Sequence, residues 1–166
     1  MRSLVFRLLV VSFIIAFGFG RASAAPNDPA VLKPVTDFIH AINAGDEQSF
    51  VRYFTADAVA CDEVPPYRWL GPNAIVHWLH DDNRLIKAHG ITNAVISVSA
   101  PTFFHRSGTG AYAVFPLLDA YTVAGKRQRE AGLFTFTLVD TAAGWRITLA
   151  CFAKKSDTSD KSWDGP

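Results

Sequence analysis

The spacing of apolar residues changes along the chain, and the change predicts helices first and strands later. From Asp28 to Gly45, apolar residues recur every three or four positions, as on one face of a helix. Asp28 suits the N-cap and Gly45 the C′ position, while Pro34 marks either a kink or the true start of the helix. Asp46 then predicts the cap of a second, short helix, and Gly71-Pro72 predicts the opening of a third.

Strand-forming residues dominate the second half of the chain. A first strand is predicted at residues 58–63, with a short return strand at residues 67–70. Four later segments are rich in Val, Ile, Thr, Phe and Tyr and are separated by short turns: 91–100, 111–123, 127–139 and 145–153. Turns this short predict an antiparallel meander. The order of elements predicts an α+β fold, in which helices pack on one face of a curved sheet.

The N-terminus has the three-part pattern of a secretory signal peptide. Arg2 and Arg7 precede an apolar run at residues 8–19, and the small residues Ala22-Ser23-Ala24 follow it. The run is shorter than the roughly 20 residues that a membrane span needs. We expect residues 1–24 to be removed and the protein to be periplasmic or secreted, without a membrane anchor. An uncleaved N-terminal anchor is the alternative.

Charge argues against a nucleic-acid partner. The full chain has 16 basic and 15 acidic residues, and loss of residues 1–24 would leave a net charge of about −2. No basic stripe is visible in the sequence. Residues 25–154 suit one domain, and the polar residues 155–166 are predicted to form a flexible tail.

Four segments carry a resemblance to a known superfamily. They are residues 38–46 (FIHAINAGD), 53–59 (YFTADAV), 71–75 (GPNAI) with Trp78, and 144–147 (GWRI). In this order and spacing they resemble the NTF2-like superfamily, which includes ketosteroid isomerases and SnoaL-like polyketide cyclases. The resemblance implies a cystatin-like cone, in which a bent sheet wraps three helices around a deep apolar pocket. It also implies homodimers formed through the open sheet face.

The resemblance places Asp62 where the isomerases have their general base. An apolar pocket would raise the pKa of this carboxyl toward the range useful for proton transfer. The alternative is a solvated acid at a strand end, beside Glu63. The two hydrogen-bond donors of the isomerases correspond here to Phe38 and Gly132, which cannot donate through their side chains. Steroid isomerisation by the usual mechanism is therefore not expected.

Strand alternation suggests a second polar group near the pocket. If Phe134 and Phe136 point into the cone, Glu130 does so as well, unless it is a surface charge among basic neighbours. On the preceding strand, Tyr112 shares a face with Val114 and is opposite to Asp119. The residues predicted to line the ligand pocket are Phe38, Phe54, Trp78, Tyr112, Glu130, Phe134, Phe136 and Phe152.

A metal site and a cofactor site are not predicted. His77, His80 and Asp81 have a helical spacing that could hold a metal, but no other element supplies a clear further ligand. The sequence also has no Gly-rich phosphate loop, no nucleophile elbow and no Cys-x-x-Cys motif.

Cys61 and Cys151 are either a disulfide or two buried thiols. The resemblance makes the first and last strands neighbours in the sheet. If Asp62 and Phe152 both face the pocket, the two sulfur atoms lie together on the opposite side.

Two functions from different classes fit these observations. One is an exported module that binds a small apolar or aromatic ligand without chemistry. The other is a lyase, isomerase or cyclase-like enzyme that uses Asp62 as acid or base. A third and weaker reading is an accessory protein that binds another protein through its sheet face.

Overall fold

The computed structural model describes residues 27–158. The predicted signal peptide and the end of the tail lie outside these residues. The described residues form three helices: α1 (Pro29–Ala44), α2 (Glu47–Arg52) and α3 (Ala74–Ala88). The caps predicted for α1 are confirmed, since the Asp28 side chain accepts from the Ala30 and Val31 backbone and Gly45 adopts the left-handed conformation at φ 65°.

Seven strands form one mixed sheet. They are β1 (Phe54–Cys61), β2 (Arg68–Trp69), β3 (Thr92–Val98), β4 (Phe103–Ser107), β5 (Gly110–Val123), β6 (Lys126–Thr141) and β7 (Gly144–Thr158). Their order is β2-β1-β7-β6-β5-β3, and β4 also pairs with β5. Only β1 and β7 run parallel among these strands. The predicted α+β class is confirmed.

Helix α1 starts at Pro29 and continues through Pro34. Of the two alternatives at Pro34, the later start is therefore wrong. One helical hydrogen bond is missing at this proline, because its nitrogen has no hydrogen.

The structure also differs from the predicted strands in three places. Strand β1 begins at Phe54, four residues before the predicted start. Strand β4 was not predicted. Its polar residues are exposed, so its sequence resembles a loop, and its extended form depends on pairing with β5. Strand β7 continues to Thr158, so residues 155–158 are part of the sheet rather than of a flexible tail.

An aromatic cluster forms the centre of the core. Phe38 on α1 contacts the rings of Phe50 and Phe54 at centroid distances of 5.0 and 5.1 Å. The same ring also contacts Phe134 and Phe136 of β6. These contacts hold the helices against one face of the sheet. No helix in residues 27–158 is long and apolar enough to cross a membrane.

Candidate functional site

A cavity of about 550 Å³ lies next to the aromatic cluster. The end of α1, the start of α2, the residues after β1, and α3 form one side of it, while β3, β5, β6 and β7 form the other. Its walls combine apolar side chains with seven carboxylates. The carboxylates are Asp46, Glu47, Asp62, Glu63, Asp82, Asp119 and Glu130.

Five Phe, Tyr and Trp side chains are among the described residues that line the cavity: Phe50, Trp78, Tyr121, Phe134 and Phe152. Three of these, Trp78, Phe134 and Phe152, belong to the set predicted from the sequence. Trp78 also belongs to the core cluster, with its ring centroid 6.2 Å from that of Phe134. The apolar part of the cavity is thus continuous with the packed core.

Asp62 lies directly after β1, and two donors orient its carboxylate. Trp78 Nε1 donates to Oδ2 at 2.9 Å, and the backbone N–H of Glu63 donates to Oδ1 at 2.6 Å. Burial raises the pKa of Asp62, against the opposing effect of the hydrogen bond from Trp78. Asp62 is therefore a partly desolvated carboxyl beside the cavity that two hydrogen bonds fix in place, and not a fully solvated acid at a strand end.

Glu130 of β6 is buried, with 7% of its surface exposed. Lys154 Nζ lies 2.9 Å from its Oε2 atom and 3.2 Å from Glu63 Oε2. Burial raises the pKa of Glu130 to about 7, although the Lys154 ammonium favours the charged form. The lysine comes from the end of the predicted domain, where sequence reasoning assigned it no role.

Asp82 and Asp119 are two further partly buried carboxyls that sequence reasoning did not propose. Burial and the nearby Asp62 carboxylate raise the pKa of Asp82 to about 6. Burial also raises the pKa of Asp119 to about 6, against a hydrogen bond from the Ala120 backbone. A signal for Asp82 was available, because it lies four positions after Trp78 and so shares its helix face.

Four of the predicted pocket residues lie elsewhere. Phe38, Phe54 and Phe136 are packed inside the aromatic core and do not border the cavity. Tyr112 is on the outer face of the sheet, 40% exposed, and packs against Phe103. The placement of Tyr112 in the pocket is wrong, because the inward face of β5 carries the odd-numbered residues from Ala111 to Asp119.

The family follows from the match to known proteins. Residues 26–150 match the family model of a SnoaL-like domain. The chain belongs to the SnoaL-like domain family. No curated protein matches the sequence at a significant level.

Several solved structures share the fold of this SnoaL-like domain. A hexachlorocyclohexane dehydrochlorinase from Novosphingobium barchaimii is 10% identical, with a TM-score of 0.68 over 82% of this chain and 93% of that one. An NTF2-like superfamily protein from Salmonella enterica is 15% identical, with a TM-score of 0.63 over 80% and 94%. A candidate scytalone dehydratase from Novosphingobium aromaticivorans is 12% identical, with a TM-score of 0.63 over 81% and 87%. At these identities the likeness shows the fold, here the NTF2-like cone.

The SnoaL-like domain has no side-chain donor at the two positions that the resemblance singled out. Phe38 is buried among other aromatic rings. At Gly132, a Cβ atom would overlap the ring of Phe152 and the backbone oxygen of Ala153. The close approach of Phe152 therefore excludes a larger residue at position 132.

The structure joins Cys61 and Cys151 in a disulfide, with their Cα atoms 4.5 Å apart. The two cysteines are paired directly in the parallel β1–β7 register. Because Asp62 and Phe152 follow the two cysteines, the bridge ties together two elements of the cavity wall.

The residues considered for a metal site have other surroundings. Asp81 accepts a hydrogen bond from Trp69 Nε1 at 2.8 Å and pairs with Arg84. His77 and His80 are exposed. Within residues 27–158, no cluster of three or more His, Cys, Asp or Glu side chains could hold a metal ion.

The raised pKa of Asp82 predicts a stabilising substitution. The unfolded chain releases this proton near pH 3.9, whereas the folded chain retains it up to about pH 6. The folded chain is therefore destabilised relative to the unfolded chain as the pH rises between these two values, because burial disfavours the charged form of Asp82. We expect Asp82→Asn to raise the free energy of unfolding by about 1–2 kcal/mol near pH 7.5 and to leave it unchanged near pH 3.5.

Urea denaturation at the two pH values measures this effect. Asp140→Asn is the matched control, because Asp140 is exposed on β6 and should change stability at neither pH. Equal stability of Asp82→Asn and the native chain near pH 7.5 would contradict the prediction.

Proposed function

We propose that this SnoaL-like domain binds a small molecule with an apolar or aromatic body in its cavity. The observation that carries the proposal is the cavity of about 550 Å³, whose walls combine five Phe, Tyr and Trp side chains with the buried Glu130 and other carboxylates. Its volume is within the range of small-molecule sites, which combine apolar and aromatic walls with polar groups that orient the ligand.

Native mass spectrometry of the purified protein tests this function. We expect a mass above that of the chain, from a co-purified ligand that denaturation releases. Ala94→Trp should reduce the bound fraction, because Ala94 lines the cavity and is exposed enough to accept a larger side chain. Ala142→Trp, in the exposed turn after β6, should leave it unchanged. Equal occupancy in both variants would contradict binding in this cavity.

Acid–base catalysis by Asp62 is the second candidate function. It is supported by a carboxylate that borders the cavity, is oriented by Trp78 and has a raised pKa. Two structural neighbours, the dehydrochlorinase and the candidate dehydratase, have names that denote elimination reactions. The lack of donors at Phe38 and Gly132 favours binding over the isomerase mechanism.

Trp78→Phe tests how Asp62 is held. The hydrogen bond from Trp78 lowers the pKa of Asp62, so its removal should raise this pKa further. NMR titration of the carboxyl measures the change. Trp69→Phe is the control, because the Trp69 indole donates to Asp81 instead.

An Asp62 pKa at the ordinary value in the native protein would contradict the catalytic candidate and leave the binding function in place. An equal change in the two tryptophan variants would contradict the positioning role of Trp78.

Export to an oxidising compartment is part of the proposal. The signal-peptide pattern at residues 1–24 supports it, and so does a paired Cys61 and Cys151. N-terminal sequencing of the protein recovered from its cells should begin at Ala25. A soluble protein that begins at Met1 would contradict export.

A homodimer through the outer sheet face remains the proposed assembly, and binding of another protein through this face is the weaker alternative. Tyr112 and Leu133 are apolar side chains of β5 and β6 that are each 40% exposed. Sedimentation of the native chain should give a dimer and Leu133→Glu a monomer, whereas a native monomer would contradict this assembly.

A further inference from the structure

The cavity of the SnoaL-like domain has far more acidic than basic groups. Seven carboxylates line it, and Lys154 is the only lysine or arginine among the described lining residues. Lys154 is shared between Glu63 and Glu130. Arg127, which lies near Asp119, donates to a backbone oxygen of β3. The described lining of the cavity thus contains seven acidic side chains and one lysine.

Asp119 has an acceptor atom that the described chain does not satisfy. Its Oδ1 atom is buried and has no hydrogen-bond partner within residues 27–158. Asp119 is paired with Glu130 across β5 and β6, and both side chains border the cavity. Two neighbouring carboxyl side chains at the cavity wall are acceptors for an ammonium group, so a ligand that brings N–H groups to this place would gain charge-assisted hydrogen bonds.

The same cavity supplies aromatic surface next to these acids. The rings of Trp78, Phe134 and Phe152 line it. Aromatic faces attract ammonium groups and also bury an apolar body. Carboxylates and aromatic rings together select a ligand that has a cationic end and an apolar end.

We propose that the ligand of this cavity is an organic amine, with its ammonium group at Asp119 and Glu130 and its apolar or aromatic body against Trp78 and Phe134. The inference rests on the proposed binding function and adds the chemical class of the ligand. It excludes anionic ligands, which the acidic wall would repel.

The amine class has a consequence for pH. The pKa values of Asp82 and Asp119 are raised to about 6 and that of Glu130 to about 7. A bound ammonium favours the charged forms of these three acids, so amine binding should release protons at a pH within this range. For the same reason, the affinity for the amine should increase as the pH rises through this range. The other titratable groups that line the cavity are Asp46, Glu47, Asp62, Glu63, His89, Tyr121 and Lys154.

Calorimetric titration with three probes of matched size tests the proposal. The probes are 2-phenylethylamine, 2-phenylethanol and 3-phenylpropanoate, each titrated at about pH 5.5 and about pH 7.5 into the disulfide-bonded protein. At the higher pH we expect the amine to bind about tenfold more tightly than the alcohol and the carboxylate to bind more weakly than both. The affinity of the amine should fall at the lower pH, and that of the alcohol should not.

Asp119→Asn separates the ammonium contact from the cavity itself. This variant should weaken amine binding by about tenfold and leave alcohol binding unchanged, because the amide keeps the volume and loses the charge. Asp140→Asn, outside the cavity, should change neither.

Two results would overturn the proposal in different ways. If the alcohol binds as tightly as the amine, the amine class is wrong and binding of an apolar body stands. If none of the three probes binds, the binding function and the amine class are both contradicted.

Discussion

Phe38→Ala should lower the free energy of unfolding by about 3–5 kcal/mol, the usual range for a buried phenylalanine. Phe38 has 0% of its surface exposed and lies at the centre of the core. Its ring contacts five others, those of Phe50, Phe54, Trp78, Phe134 and Phe136. Truncation removes these contacts and leaves a cavity that α1 and the sheet together cannot close.

Phe103→Ala is the matched control for this substitution. Phe103 lies on β4, is 53% exposed and contacts the ring of Tyr112. We expect its loss to lower stability by less than about 1 kcal/mol. Urea denaturation followed by far-ultraviolet circular dichroism, with the disulfide oxidised, measures both variants. Equal effects of the two substitutions would show that the aromatic cluster is not the centre of the core.

Removal of the Cys61–Cys151 bridge should lower the free energy of unfolding by about 4–5 kcal/mol in the chain-entropy description. The two cysteines are separated by 90 residues, so the bridge restricts a large part of the unfolded chain. The double variant Cys61→Ala and Cys151→Ala tests this by urea denaturation. The native chain in the presence of reductant should lose the same stability.

The reductant response provides the control. The double variant should be insensitive to reductant, because it has no bond to break. Thiol titration of the unfolded, oxidised native protein should find no free thiol. Two free thiols, or equal stability of the native and double-variant chains, would contradict the bridge.

Helix ends were predicted more accurately than strand ends. Asp28 and Gly45 were predicted as the caps of α1 and are found there, because capping depends on the conformation and side chain of one residue. Strands depend on partners elsewhere in the chain. Residues 103–107 form β4, and residues 155–158 extend β7, because β5 and β6 supply hydrogen bonds to them.

The candidate site was partly visible in the sequence. Asp62 came from the family resemblance and Glu130 from strand alternation, and both border the cavity. Alternation separates Tyr112 from Asp119 but does not say which of them faces the helices. Tyr112 was therefore placed in the pocket, whereas Asp119 occupies it.

Local and periodic patterns in the amino-acid sequence were sufficient for the α+β class and, apart from β4, for the order of helices and strands. The acid at position 62 came from the family resemblance. The grouping of Asp82 of α3, Asp119 of β5, Glu130 of β6 and Lys154 of β7 around one cavity depends on how the helices pack on the sheet. The raised pKa values of the three acids have the same origin, because burial and neighbouring charge are properties of the packed chain. Residues far apart in sequence acquire a common environment only when the sheet bends around α1 and α3. No local pattern in the sequence specifies how close such residues come in space.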